Sequence, residues 1–250
     1  MVMRDYKTSV LVTTPPLARH LLTVMARMDL DPAELSLKKA LLVASPLPTE
    51  VRREIEAGFQ VKCATAYGIT EVMGPGLAFS CGADGGLHFS EDHFYPEIID
   101  PATGTPLPPG TPGELVITTL STVAFPLVRF RSGDRTSLLT EPCTCGRTLA
   151  RLGEITGRTD PIFSVGGIKV HPDQVGALLR EALGGHPPKY RHQVVSEEGL
   201  EILDIELTVE EVFFSDEIKA LECLCRRARR HLADHLGINA RITLKELGLE

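Results

Sequence analysis

The sequence predicts an α/β protein in two parts. Residues 1–157 form a parallel βαβ layer (about 1–73) joined to a small antiparallel β-barrel-like region (about 74–157), and residues 158–250 form a ferredoxin-like βαββαβ domain. Three observations carry this. Apolar β-branched runs alternate with apolar residues at helical spacing up to about residue 73. Glycine and proline then punctuate short β-rich pieces. The remainder reads strand, helix, strand, strand, helix, strand.

Taken in order, Ser9 to Thr13 is a short strand stopped by Thr14-Pro15-Pro16. Those prolines suit a helix start, and Leu17, Leu21, Leu22, Met25 and Met28 follow on one face. Ala40 to Ala44 is a second strand. Pro48-Thr49-Glu50 opens a second helix with Val51 and Ile55 on one side and Gly58 as its stop. Val61 to Ala66 is a third strand, and helices between strands imply right-handed crossovers and a parallel sheet.

In the middle region, Leu87–Phe89, Glu97–Ile99, Gly113–Thr118 and Leu127–Phe130 are the strand candidates, with a turn-rich connector over residues 100–110. Beyond Asp160, Ile168–Val170 is a strand and Asp173–Leu183 a helix closed by Gly184-Gly185. Gln193–Val195 and the alternating Leu203–Val209 are strands. Ser215 caps a long helix carrying Ile218, Leu221, Leu224, Ala228 and Leu232, and Ile238–Leu244 alternates again.

Composition excludes several classes. The 250 residues are 43% hydrophobic and 24% charged, an ordinary folded chain. A net charge of -7 argues against nucleic-acid binding, which needs a basic surface. No apolar run approaches the roughly 20 residues of a membrane span. Met1 to Thr8 has Arg4 and Lys7 but no apolar stretch behind them, so no signal peptide is expected. Six cysteines are too few for a disulfide scaffold, and the expected setting is cytoplasmic, with reduced thiols.

Three short motifs concentrate chemistry. Tyr67-Gly68-Ile69-Thr70-Glu71 is expected just beyond a parallel strand, where open α/β sheets bind ligands. A threonine hydroxyl beside a carboxylate can serve a phosphate oxygen and its Mg²⁺. Arg131-Ser132-Gly133-Asp134 is expected after a strand, and Gly157-Arg158-Thr159-Asp160 at the domain boundary.

With Glu91-Asp-His-Phe-Tyr-Pro-Glu-Ile-Ile-Asp100 and Gly113-Glu-Leu-Val-Ile-Thr-Thr-Leu120, these segments resemble the adenylate-forming enzymes, most closely the phenylacetate-CoA ligase family. The resemblance covers nearly the whole chain. It implies ATP-dependent adenylation of an aryl or other carboxylic acid, then transfer of the acyl group to coenzyme A. Tyr67 and Gly68 would line the adenine and ribose side, with Thr70 meeting phosphate and Glu71 holding Mg²⁺; Thr70 and Glu71 are thus the candidate catalytic residues. Asp134 would accept from the ribose hydroxyls, Arg158 would reach the nucleotide, and Asp160 would lie near a hinge. Gly167 would border the pantetheine path of coenzyme A.

The resemblance also marks departures. A Ser/Thr/Gly-rich phosphate loop, found upstream in the family, is not in this sequence, and an N-terminal half carrying it could be separately encoded. The family's Gly-Ala-Glu on the adenine wall falls on Val43-Ala44-Ser45, keeping only Ala44. Its late Gly-Lys lies beyond Glu250, and Lys245 reads as a surface lysine rather than a substitute. The competing reading is a catalytically silent nucleotide- or acyl-CoA-binding protein with a regulatory or scaffolding role. A face left for the upstream half invites self-association as a homodimer.

Cys143-Thr144-Cys145, in the turn-forming Glu141-Pro-Cys-Thr-Cys-Gly-Arg147, can present two thiolates to one metal. Cys81 and His88 are the expected third and fourth ligands of a structural Zn²⁺, since the resemblance brings their loop beside the strand ending near Thr140; four unrelated residues are the alternative. Cys63 reads as a small core residue. Cys223 and Cys225 sit on different helix faces, Arg226–Arg230 reads as a solvated basic run, and His93 as a structural hydrogen bonder within a strand.

Overall fold

The computed structural model describes residues 2–44, 47–82, 85–197, 200–209 and 218–246. It separates into two compact units, residues 1–160 and 161–250.

The first unit opens with a short helix, α1 (Val2–Asp5), followed by β1 (Val10–Thr13), α2 (Pro15–Arg27), β2 (Lys39–Leu42), α3 (Thr49–Phe59) and β3 (Lys62–Ile69). The Thr14 hydroxyl accepts from the Leu17 amide at 3.4 Å with prolines in the first turn, so α2 starts where capping chemistry puts it. Strands β1, β2 and β3 are parallel neighbours, with Ala40 and Leu42 of β2 buried. Those side chains form one core with Ala18 and Met25 of α2, Ile55 and Phe59 of α3, and Cys63. Gly58 is not the stop of α3; the helix runs to Phe59 and ends on Gln60 at φ 56. A Cβ on Gly58 would come within 2.6 Å of Leu22, so the glycine serves the α2–α3 contact instead.

The rest of the first unit comprises β4 (Met73–Phe79), β5 (Leu87–Phe89), β6 (Phe94–Ile99), β7 (Gly113–Thr119), β8 (Phe130–Thr136), β9 (Leu138–Leu139), β10 (Arg151–Leu152) and β11 (Gly157–Arg158). These strands make no closed barrel among the described residues. Half of them extend the parallel layer into a seven-stranded mixed sheet, ordered β1-β2-β3-β4-β5-β10-β9. The others form an open antiparallel sheet ordered β11-β8-β7-β6. The change of partner happens inside β3. Lys62–Thr65 pairs in parallel with β2, whereas Ala66–Ile69 pairs antiparallel with β4. Phe89, Phe94, Leu77, Leu115, Ile117 and Leu152 fill the core between the two sheets.

The second unit holds β12 (Phe163–Val165), β13 (Ile168–Val170), α4 (Pro172–Ala182), β14 (Lys189–Glu197), β15 (Leu200–Val209), α5 (Ile218–Leu236) and β16 (Ala240–Glu246). Its main sheet has three strands, β14-β15-β16, with β15 and β16 parallel; β13 pairs with β12. Leu203, Ile205 and Leu207 of β15 are all fully buried against Val175, Leu179, Ala228 and Leu232, as strict alternation requires. Ser215, expected to cap α5, lies outside the described residues.

Candidate functional site

Two of the three motifs lie in strands rather than after them. Tyr67, Gly68 and Ile69 are the last residues of β3, and Arg131 to Asp134 lie within β8. Strand pairing reaches them because both strands break register locally, β3 against β4 between Tyr67 and Ile69 and β7 against β8 between Glu114 and Val116. At Gly68 an added Cβ would sit 1.8 Å from the Gly74 carbonyl oxygen. Strand β4 therefore needs glycine there, independently of any ligand.

Asp134, 6% exposed, is the centre of the arrangement. The Tyr67 hydroxyl donates to its Oδ2 at 2.6 Å, and Arg158 Nη1 donates to Oδ1. Its backbone amide donates to Ser132 Oγ at 3.1 Å, and that hydroxyl donates onward to the Leu115 carbonyl. Arg158 also grips both Asp160 oxygens at 2.7 Å and the Ser132 carbonyl at 3.0 Å. Gly133 adopts φ 77, and a Cβ there would lie 2.4 Å from Asp160 and 2.5 Å from Arg158. Only glycine lets this pair lie across the strand.

The electrostatics follow from burial and pairing. Desolvation, then the Asp134 carboxylate, pushes the Tyr67 phenol far up, so Tyr67 stays a donor. The hydrogen bond to Asp160 first, then Asp134, raises Arg158, which keeps its charge. Each Asp134 oxygen thus accepts one side-chain bond and retains a lone pair for another donor.

Other expected residues are placed as follows. Thr70 and Glu71 occupy the exposed turn between β3 and β4, and neither side chain has a partner among the described residues. Ala44 is exposed just past the end of β2, at φ 64. Since β2 and β3 are parallel neighbours, Ala44 and Tyr67 both follow the paired Leu42 and Thr65 at one sheet edge. Gly167, with Gly166, makes the tight β12–β13 turn at φ 87 and 61, in the second unit. Lys245 on β16 pairs with Glu206 at 3.4 Å, as a surface lysine does. His93 lies in the exposed turn before β6 rather than in a strand, bonded to Ser121 at 2.9 Å.

Cys81, His88, Cys143 and Cys145 come together, with ligand atoms all within 4.8 Å of one another. Cys81 and Cys143 sulfurs are 3.6 Å apart, and Cys145 Sγ is 3.3 Å from His88 Nε2. His88 is fully buried, and no described cysteine is in a disulfide. The Arg147 backbone amide first, and its guanidinium at 3.5 Å, hold the Cys145 thiol down at about 6.

Sequence reasoning missed Ser132, which orders Asp134, and Arg147, which faces Cys145. Their signal was adjacency: each stands inside a motif already singled out. Asp160 was expected near a hinge, and its carboxylate proves to be the anchor of Arg158.

Comparison with known proteins fits this picture. The AMP-binding enzyme family model matches residues 1–124, and the AMP-binding enzyme C-terminal domain model matches residues 167–249. A phenylacetate-coenzyme A ligase of Thermus thermophilus is 38% identical over 98% of this chain, which spans 58% of that relative. An Escherichia coli phenylacetate-coenzyme A ligase is 31% identical over 99% of this chain and 56% of its own length. The chain therefore spans little more than half of these curated relatives. Among solved structures, 2-hydroxyisobutyryl-CoA ligase, in complex with 2-HIB-AMP and CoA in the thioesterification state, aligns with TM-score 0.90 at 25% identity, covering all of this chain and 53% of that one. The amide bond synthetase McbA of Marinactinospora thermotolerans, 18% identical, shares the fold alone at TM-score 0.66 over 97% of this chain and 49% of its own. On these matches, the chain belongs to the adenylate-forming, AMP-binding enzyme family, and corresponds to the C-terminal part of its phenylacetate-CoA ligases.

Proposed function

We propose that this chain supplies the nucleotide-ribose site and the mobile C-terminal domain of an ATP-dependent acid–CoA ligase acting on an aryl or other carboxylic acid. The observation that carries the reading is Asp134, buried and oriented by Tyr67 and Arg158 with lone pairs left over. Two acceptor oxygens fixed in this way suit a vicinal diol, whose two hydroxyls are both donors. Tyr67 supports this by remaining protonated, and Arg158 by neutralising the carboxylate without consuming it.

Thr70 and Glu71 would face the phosphates. Glu71 is an exposed carboxylate with no partner among the described residues, which fits a hard, oxygen-seeking Mg²⁺. When bound, the metal supplies charge neutralisation at the transferring phosphoryl group. Ala44 would border the base, and Gly167, at φ 87 in the β12–β13 turn, would border a pantetheine arm. The second unit is read as the family's ferredoxin-like domain, its order β13-α4-β14-β15-α5-β16 being the support. Free thiols throughout the described chain suit a reducing, cytoplasmic setting.

Calorimetry with ATP and AMP tests the nucleotide reading directly. The chain is expected to bind AMP, and Asp134→Asn to weaken binding at least about tenfold, the loss of one charged hydrogen-bond acceptor. A folded chain that binds neither nucleotide overturns the reading and leaves the silent scaffold in its place.

A further inference from the structure

We propose that Cys81, His88, Cys143 and Cys145 form a closed, structural zinc site that ties the β4–β5 loop to the β9–β10 loop. This stands apart from the nucleotide reading and from anything the relatives' names imply. The first argument is metric. Zinc–sulfur bonds near 2.3 Å and zinc–nitrogen bonds near 2.0 Å in a tetrahedron put two sulfurs about 3.8 Å apart and a sulfur and nitrogen about 3.5 Å apart. The observed separations are 3.6 Å for Cys81–Cys143 and 3.3 Å for Cys145–His88 Nε2. All four ligand atoms lie within one 4.8 Å cluster, which fits one ion.

The backbone is shaped to present these groups. A turn closed by the Gly146 amide on the Cys143 carbonyl, at 3.1 Å, folds Cys143 and Cys145 toward one point. Gly146 at φ 81 and Gly82 at φ 85 follow Cys145 and Cys81, each in the left-handed region that favours glycine. His88 is fixed in β5 by pairing with Arg151 of β10, and Arg151 donates to the carbonyls of Gly85 and Glu141, one in each loop.

Charge and chemistry then select the ion. Three thiolates and an imidazole around Zn²⁺ leave one net negative charge, and Arg147, 3.5 Å from Cys145 Sγ, offsets it. Sulfur with nitrogen in a tetrahedron favours zinc over the oxygen-seeking cations. Four protein ligands leave no open position, so the ion holds structure and does no catalysis. Binding releases to solvent the protons that the thiols still carry and involves no redox change.

The test uses the intact 250-residue chain, reduced, stripped by chelator and then given Zn²⁺ alone. Elemental analysis is expected to give one zinc per chain. Alkylation read by mass spectrometry should leave Cys81, Cys143 and Cys145 protected until zinc is removed, while exposed Cys223 reacts throughout. Co²⁺ in place of zinc should give thiolate-to-metal charge transfer and tetrahedral absorption, a readout needing no variant. Cys143→Ser/Cys145→Ser should lose the zinc. Less than one-tenth equivalent of zinc on the wild type, an octahedral cobalt spectrum, or stoichiometric zinc retained by the double variant would each overturn the site.

Discussion

Single side chains in this protein are set by what surrounds them, and Cys63 makes that measurable. It lies in β3, 5% exposed, with its backbone amide bonded to Glu56 at 2.8 Å. Burial first, and the Glu56 charge second, push its thiol up to about 11 from an ordinary 9.0. A raised folded value means that the protonated thiol's contribution is complete below pH 9.0 and is lost as pH rises toward about 11. Between those limits the unfolded chain gives up a proton that the folded chain keeps. Melting temperatures of wild type and Cys63→Ala should therefore converge from pH 9 to 11, the variant starting lower because it leaves a small cavity. A gap that stays constant over that range would place the thiol in water. At pH 7 the same burial makes Cys63 the slow cysteine toward alkylating reagents, and exposed Cys223 a fast one.

At the scale of elements, the places where sequence reading succeeded and failed have distinct physics. Helix α2 was legible because a threonine cap and two prolines are local signals, and β15 because alternation reports burial residue by residue. The clustering of Cys81, His88, Cys143 and Cys145 was legible because few residue types can ligate a metal. The middle region read as a barrel and is two open sheets, since pairing between distant strands leaves no mark on either strand alone. Gly58 read as a helix stop for the same reason: its partner, Leu22, lies on another element. The site's anchor, Arg158 on Asp160, depends on the left-handed Gly133 between β7 and β11, which spacing does not reveal. Gly68 offers the sharpest test at this scale. Its missing Cβ makes room for the Gly74 carbonyl, at the point where β3 shifts register against β4. Gly68→Ala is expected to cost about 3 kcal/mol or more, because backbone rather than a flexible side chain must move. Denaturant unfolding checks this, and a cost below about 1 kcal/mol would show that β4 can shift without penalty.

Within the first unit, β1 turns an apolar face outward among the described residues. Parallel strands are ordinarily covered on both sides. Here α2 and α3 cover one side of β1, β2 and β3, with Leu11 packed against their core. On β1 the alternate residues Val10 and Val12 are 51% and 60% exposed. The curated phenylacetate-CoA ligases extend well beyond the 58% and 56% of their length that this chain spans. We expect the additional segment of those relatives to cover Val10 and Val12 and, by the family resemblance, to bring the phosphate-holding loop to Thr70 and Glu71. Removing such a set of donors from a transferring phosphoryl group costs about 10²–10³ in rate. A chimera that joins the Thermus relative's upstream segment to this chain should therefore form acyl-CoA from an aryl acid, ATP and CoA at least about a hundredfold faster than the 250 residues alone. Val10→Asp/Val12→Asp in the chimera should remove that gain and restore fast amide exchange along β1, while leaving AMP binding at Asp134 intact. Equal turnover by the chain and the chimera would show that the loop's work is done elsewhere. A homodimer of the isolated chain, dispersed by the same two substitutions, would assign the bare face to a second copy instead.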